Sequence, residues 1–139
     1  MPIVRWHESY SLGIEPIDSH HEHLVDLLNN TYDSLVEHEV GEKIDIIFDE
    51  LIAYSKYHFA AEEHLMDTSA YPKMDEHVRQ HDAFSKKIDR FQKQFHDGNA
   101  LITVGVLAYL KDWLIDHILY LDAEFVRFKS TLAINSSTI

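Results

Sequence analysis

The chain has 139 residues and 45% of them are hydrophobic, which is typical of one globular domain and excludes a disordered chain. Its net charge of −12, counted with neutral histidines, disfavours nucleic-acid binding, because the phosphate backbone is bound by clustered Lys and Arg. The absence of cysteine excludes disulfides, thiolate metal sites and thiol catalysis. Any metal ion would therefore be held by nitrogen and oxygen ligands.

The sequence gives no sign of export or of a membrane anchor. Its first twenty residues contain no apolar segment of signal-peptide length. The most apolar run, 101–110, is ten residues long and is too short to cross a bilayer. We therefore expect a cytoplasmic protein without membrane insertion.

Four amphipathic helices are predicted after an extended N-terminal arm, residues 1–17, which contains Pro2, Gly13 and Pro16. Asp18 or Ser19 is the expected N-cap of the first helix. The helices are expected at about 18–38, 42–66, 72–96 and 101–121, with turns at Gly41, 69–72 and 97–99.

Long helices joined by short turns predict an all-α fold, an antiparallel up-down-up-down four-helix bundle. The bundle should occupy about residues 18–122, and residues 123–139 should form a C-terminal tail with at most a short helical turn. The sequence shows no repeat and no internal linker, so one domain is expected over 1–139.

Five histidines lie in phase with the apolar stripes of these helices, and two carboxylates join them. A lone histidine on such a stripe is usually a hydrogen-bonded core residue. Because an unpartnered buried polar group costs about 1–3 kcal/mol, ligand-type residues on four stripes indicate that metal ions occupy the centre of the bundle. The candidate ligands are His21, His58, Glu62, His77, His81, His117 and Asp122.

Two of the spacings suit shared ions. His77 and His81 are four residues apart and lie on one helix face, so both can bind the same ion. His58 and Glu62 have the same spacing, and the two oxygens of a carboxylate can bridge two ions.

The spacing of His117 and Asp122 is less favourable, because five residues of an ideal helix separate two side chains by about 140°. Asp122 can face inward only where the helix loosens near its end. Five histidines and two carboxylates exceed one tetrahedral zinc site and suit two octahedral ions with shared bridges. Ferritin-like di-iron sites use Glu-x-x-His motifs, and this sequence contains none.

Several motifs follow one another in a fixed order. They are Trp6, Gly13-Ile14, Ile17-Asp18-x-x-His21-x-x-Leu24, His58-Phe59-x-x-Glu62-Glu63-x-x-Met66, Tyr71-Pro72, His77-x-x-x-His81 and Trp113-Leu114-x-x-His117-Ile118-x-x-x-Asp122. In this order they resemble the bacterial branch of the hemerythrin family over about residues 6–128. The residue before the first ligand is commonly Gln in bacterial members and is His20 here. Helical phase favours His21 as the ligand, since it lies three residues before Leu24.

The resemblance implies a non-heme centre of two iron ions, Fe2+ or Fe3+, with an oxo or hydroxo bridge. No organic cofactor and no catalytic residue is implied, and we expect a dioxygen-binding protein rather than an enzyme. By the resemblance, one iron is held by His77, His81 and His117 and the other by His21 and His58, with Glu62 and Asp122 as bridges.

The resemblance also implies an apolar pocket wall that keeps water from the bound dioxygen. Ordinary bundle core would account for the same residues, and only their adjacency to the ligands favours the pocket. The wall residues are Leu24, Phe59, Trp113, Leu114 and Ile118.

The leading functional hypothesis is reversible dioxygen binding for carriage, storage or delivery. The alternative is an oxygen or redox sensor, in which the same di-iron site drives a linked signalling output domain. Enzymatic use of the iron pair and a structural zinc or metal-free bundle are weaker alternatives. The sequence does not separate carrier from sensor.

Overall fold

The computed structural model describes residues 3–37, 41–98 and 103–137, whose long helices form an antiparallel up-down-up-down four-helix bundle. The predicted fold class is confirmed. The helices are α1 (Ile17–Val36), α2 (Gly41–Thr68), α3 (Met74–His96), α4 (Val104–Asp116) and α5 (Ala123–Ser137), with a π-helical segment at His117–Asp122. The π-helical segment joins α4 to α5 without a break, and these three segments together form the fourth helix of the bundle.

The helix limits differ from the predicted ones by a few residues. Asp18 does not cap α1; its carboxylate accepts hydrogen bonds from the backbone N–H groups of Leu12 and Gly13, at 2.8 and 2.9 Å, and so fixes the end of the arm. α3 ends at His96, as predicted. The helix stops there because Gly98 adopts a φ of +74°, which glycine tolerates after a helix. The limits predicted at 38 and 101 lie outside the described residues.

The expectation of at most a short helical turn beyond residue 122 is wrong, because α5 continues the fourth helix of the bundle to Ser137. Phe125 of α5 is buried against Met66 at the end of α2 and Tyr71 in the following turn, and Phe128 packs on the same group. Two aromatic residues three positions apart therefore give α5 an apolar face. The polar end of the sequence obscured that signal.

Two clusters of buried apolar side chains lie at different levels of the bundle. The larger apolar cluster joins the arm to α1, α2, α3 and α4, and the smaller apolar cluster joins the end of α2 to α5. Along α2, Phe59 belongs to the larger cluster and Met66 to the smaller one, so the positions between them form a separate layer. The same separation recurs between Tyr71 and Phe84 and between Ile118 and Phe125.

None of the helices within the described ranges combines the length and the apolar character that a membrane crossing requires.

The start of the N-terminal arm is held against α1 by Asn29. Asn29 accepts a hydrogen bond from the backbone N–H of Val4 and donates one to the carbonyl oxygen of the same residue, both at 2.9 Å. The Val4 side chain is buried in the larger apolar cluster. The arm therefore closes one face of the bundle.

We expect Asn29→Ala to lower the free energy of unfolding by about 1–2 kcal/mol, because two partly buried hydrogen bonds are lost together. Urea unfolding of the purified variant measures the change. Asn30→Ala is the matched control, since Asn30 is the next residue of α1 and is exposed. Equal losses in the two variants would contradict this role of Asn29.

Candidate metal centre

Seven ligand-type side chains meet in the layer between the two apolar clusters. Each of them is at most 3% exposed, so water does not solvate their polar atoms. They come from α1, α2, α3 and the π-helical segment. We call them the polar cluster, and they are the seven residues selected from the sequence: His21, His58, Glu62, His77, His81, His117 and Asp122.

One half of the polar cluster contains three histidines and a carboxylate, and its ligand atoms all lie within 4.8 Å of one another. The Nε2 atom of His117 is 3.0 Å from Nε2 of His77 and 3.0 Å from Nε2 of His81. Two nitrogen ligands at adjacent octahedral positions, each about 2.1 Å from an ion, lie about 3.0 Å apart. The three rings are therefore spaced as ligands of one ion.

The other half contains two histidines and two carboxylates, again with all ligand atoms within 4.8 Å of one another. His21 places its Nε2 2.9 Å from Oδ2 of Asp122. His58 places its Nε2 3.0 Å from Oε2 of Glu62. Of the two adjacent histidines in α1, His21 is thus the one whose ring enters the cluster.

Glu62 divides its two oxygens between the halves. Oε2 faces His58, whereas Oε1 contacts Nε2 of His77 and lies 3.4 Å from Nε2 of both His81 and His117. A carboxylate in this position can bind one ion through each oxygen.

The two oxygens of Asp122 also face different halves of the polar cluster. Its Oδ2 faces His21, whereas its Oδ1 lies 2.9 Å from Nε2 of His117 and 3.1 Å from Nε2 of His77. Both carboxylates therefore lie between the three-histidine half and the two-histidine half.

The π-helical segment explains how Asp122 reaches this position. At its end the backbone N–H of Ala123 donates to the carbonyl of Ile118, five residues earlier, instead of the four of an α-helix. A turn widened in this way brings the five-residue spacing of His117 and Asp122 onto one face. The expected loosening is present, but the helix continues through it.

The polar cluster fits a cationic guest. Among the described residues, nine buried nitrogen and oxygen atoms make no hydrogen bond of suitable geometry, and all nine belong to these seven side chains. Five of the nine face the centre of the cluster: Nε2 of His21 and His58, Oε2 of Glu62 and both oxygens of Asp122. Each such atom costs about 1–3 kcal/mol, against a net stability of about 5–15 kcal/mol for a whole domain. Imidazole nitrogen with carboxylate oxygen is a donor set that suits iron, manganese or zinc.

The electrostatics of the cluster also call for positive charge. Burial raises the pKa of Glu62, but a hydrogen bond with Asp122 and the contacts with His117, His58 and His77 outweigh burial and hold that pKa well below the usual range. Burial and the charge of Glu62 raise the pKa of Asp122, but His117 outweighs them and lowers it. Burial opposes protonation of His117, yet Asp122 and Glu62 raise its pKa to about 10. Burial lowers the pKa of His81 to about 4. Two buried negative charges thus face a mixture of charged and neutral rings.

His20 lies behind the polar cluster, where its ring is 6% exposed. Its Nδ1 is 3.1 Å from Nδ1 of His58, on the side of that ring away from Glu62. Burial lowers the pKa of His20, and His58 lowers it further, so the neutral ring is favoured. Only His21 was expected on the apolar stripe; however, His20 is four residues before Leu24, and that spacing was the available signal.

An apolar cavity of about 30 Å³ lies beside the polar cluster in the larger apolar cluster. Of the eleven residues that line it, ten are aliphatic or aromatic, and the hydroxyl of Ser55 donates to the carbonyl of Leu51 at 2.8 Å. Ile118 is fully buried but is not among the lining residues. The other four predicted wall residues line the cavity: Leu24, Phe59, Trp113 and Leu114.

Two of these aromatic rings also hold cluster histidines in place. Phe59 stacks on His81 with ring centroids 4.1 Å apart and planes inclined by 14°. Trp113 stacks on His117 with centroids 4.6 Å apart and planes inclined by 15°. The cavity is therefore one aromatic layer away from the three-histidine half.

The family model and the similar proteins of known identity all point to the same family. The family model described as the hemerythrin HHE cation binding domain matches residues 12–128. A bacteriohemerythrin of Clostridium acetobutylicum is 31% identical over 125 residues, which cover 87% of this chain and 97% of the relative. One of Stenotrophomonas maltophilia is 32% identical over 121 residues, which cover 85% of this chain and 76% of the relative.

The fold agrees with a solved structure as well. A crystal structure of wild-type hemerythrin superposes with a TM-score of 0.84 at 26% identity, over 90% of this chain and 96% of that one. The chain therefore belongs to the hemerythrin family, whose members bind dioxygen at a non-heme di-iron centre.

Proposed function

We propose that this protein binds dioxygen reversibly at its own di-iron centre and serves in the carriage, storage or delivery of dioxygen. The observation that carries the proposal is the placement of the carboxylates of Glu62 and Asp122. Each directs one oxygen toward the three-histidine half of the polar cluster and the other oxygen toward the two-histidine half. The match to the hemerythrin family supports iron as the metal.

The assigned ligands make the two ions unequal. Iron, when bound, supplies the reversible exchange of electrons with dioxygen. His77, His81 and His117 would hold the first ion and His21 and His58 the second, and Glu62 and Asp122 would be shared by both. The second ion would then have one protein ligand fewer and would keep more room for dioxygen.

The apolar residues beside the cluster have their own part in reversibility. Phe59 and Trp113 cover two of the histidines, and the cavity behind them is lined by ten apolar side chains and by Ser55, whose hydroxyl donates its only proton to the backbone. A dry site withholds the water and protons that would make oxidation irreversible. Leu114 completes this wall from α4.

Carriage is proposed ahead of sensing by analogy with one relative. The chain covers 97% of the bacteriohemerythrin of Clostridium acetobutylicum, so that relative contains little besides the same domain. A sensor needs a further output module.

The proposal is tested by an optical titration from anaerobic to aerobic buffer, with iron counted per chain. We expect two irons per chain and a visible absorption band that appears with dioxygen and disappears when dioxygen is removed. Immediate one-way oxidation would contradict a carrier and favour a redox sensor or an enzyme. A chain that takes up no iron would contradict the ligand assignment itself.

Replacing the shared carboxylate tests the bridging assignment. Glu62→Gln keeps the size of the side chain but removes its negative charge, so we expect iron retained after gel filtration to fall from two per chain to one or none. Glu50→Gln is the control, because Glu50 is an exposed carboxylate of the same helix. Retention of both irons by the Glu62 variant would show that this side chain is not a bridge.

Opening the apolar wall tests its role in keeping the site dry. We expect Leu114→Ala to shorten the lifetime of the dioxygen-bound protein severalfold, because the space left by the side chain admits water. Stopped-flow absorption and overnight decay measure that lifetime. Leu107→Ala is the control, since Leu107 is buried in the same helix but does not line the cavity.

Each of these leucine substitutions should cost about 2–5 kcal/mol of stability, so stability alone cannot account for a difference between them. Equal lifetimes in the two variants would count against the wall.

A further inference from the structure

We propose that His20 is a positioning residue, whose Nδ1 accepts a hydrogen bond from Nδ1–H of His58 and thereby keeps Nε2 of His58 free to bind iron. The inference rests on the proposed function, because it concerns one of the histidines assigned to the second iron. It adds to the site a residue that lies outside the seven ligands.

The rings of His20 and His58 meet at their Nδ1 atoms. Their Nδ1 atoms are 3.1 Å apart, and the rings meet edge to face, with centroids 5.2 Å apart and planes inclined by 88°. On its opposite side His58 directs Nε2 toward Oε2 of Glu62 at 3.0 Å. One nitrogen of His58 thus faces the polar cluster and the other faces His20.

The chemistry of imidazole fixes the direction of this hydrogen bond. A neutral histidine carries one proton, on either Nδ1 or Nε2. To bind a metal ion through Nε2, His58 must keep that nitrogen unprotonated, so its proton is on Nδ1. His20 must then be the acceptor and carry its own proton on Nε2. The reverse direction would put the proton of His58 where iron binds.

His58 is the ligand whose outer nitrogen has a hydrogen-bond partner among the described residues. In the same described ranges, the Nδ1 atoms of the other four cluster histidines have no hydrogen-bond partner; Oε1 of Glu63 faces Nδ1 of His81, but at 3.7 Å it is beyond hydrogen-bond distance. Histidines that bind metal usually donate from their outer nitrogen, and that bond sets their orientation. The histidines without such a partner are His21, His77, His81 and His117.

His20 is itself held in a fixed orientation by two tyrosines of α2. Its ring meets Tyr54 edge to face, with centroids 5.7 Å apart, and lies against Tyr57 with centroids 5.2 Å apart. A ring packed in this way can present the same nitrogen to His58 continuously. An orienting hydrogen bond requires this rigidity.

The test uses the iron-loaded protein and a competing chelator, with iron retained per chain measured at equilibrium over a range of chelator concentrations. His20→Leu keeps much of the volume but has no acceptor, whereas His20→Gln restores an acceptor in its amide oxygen. The control is His23→Leu, which removes a partly buried histidine of α1 that contacts Tyr54 at a centroid distance of 4.3 Å.

We expect His20→Leu to lower the affinity for one of the two irons about 10–100-fold, the range found when such an outer hydrogen bond is removed. The second iron should keep its affinity, His20→Gln should restore most of the first, and His23→Leu should change neither. A merely structural role for His20 would instead weaken both irons together.

If His20→Leu bound both irons with unchanged affinity, the inference would be overturned and the proposed function would stand. The same would follow if the substitution lowered the affinity for both irons equally. Failure of the glutamine variant to recover the lost iron would also overturn it. If the unmodified protein retained no iron in the same titration, the proposed function would fail together with the inference.

Discussion

The structure depends on the burial of two carboxylates at the centre of an apolar bundle. Glu62 and Asp122 are less than 2% exposed and keep a lowered pKa, so two negative charges must be balanced where water is absent. An uncompensated charge in such a place would cost far more than a single helix contact contributes. Five histidines surround the pair, and the nine buried atoms that lack a hydrogen-bond partner belong to these seven residues. Cations at two positions would satisfy the five of these atoms that face the centre, namely Nε2 of His21 and His58, Oε2 of Glu62 and both oxygens of Asp122.

The remaining elements position and seal this layer. The larger apolar cluster closes it on one side and the smaller cluster, which needs α5, closes it on the other. The π-helical segment turns Asp122 inward, and stacked aromatic rings fix two of the histidines. Rigid apolar surroundings and a preformed set of donors are complementary requirements, because ligands held apart from water bind an ion without rearranging.

Much of this was predictable from residue spacing. The four-residue pairs and the phase of each histidine with its apolar stripe follow from the regular turn of an α-helix. The features missed are those in which the chain departs from that regularity. The inward position of Asp122 was expected only if the helix loosened near its end, and what was missed is that the helix continues through the widened turn. The burial of His20 beside His21 was missed because it depends on where α2 packs. The length of α5 depended on tertiary contacts of Phe125, which periodicity at the polar end of the chain did not reveal.

If the proposed assignment is right, the polar cluster holds two irons at defined places. Anomalous diffraction from a crystal of the iron-loaded protein, recorded on both sides of the iron absorption edge, tests it most directly. We expect two iron peaks, one within bonding distance of His77, His81 and His117 and the other of His21 and His58, with Glu62 and Asp122 between them. A single peak, or peaks away from these side chains, would contradict it.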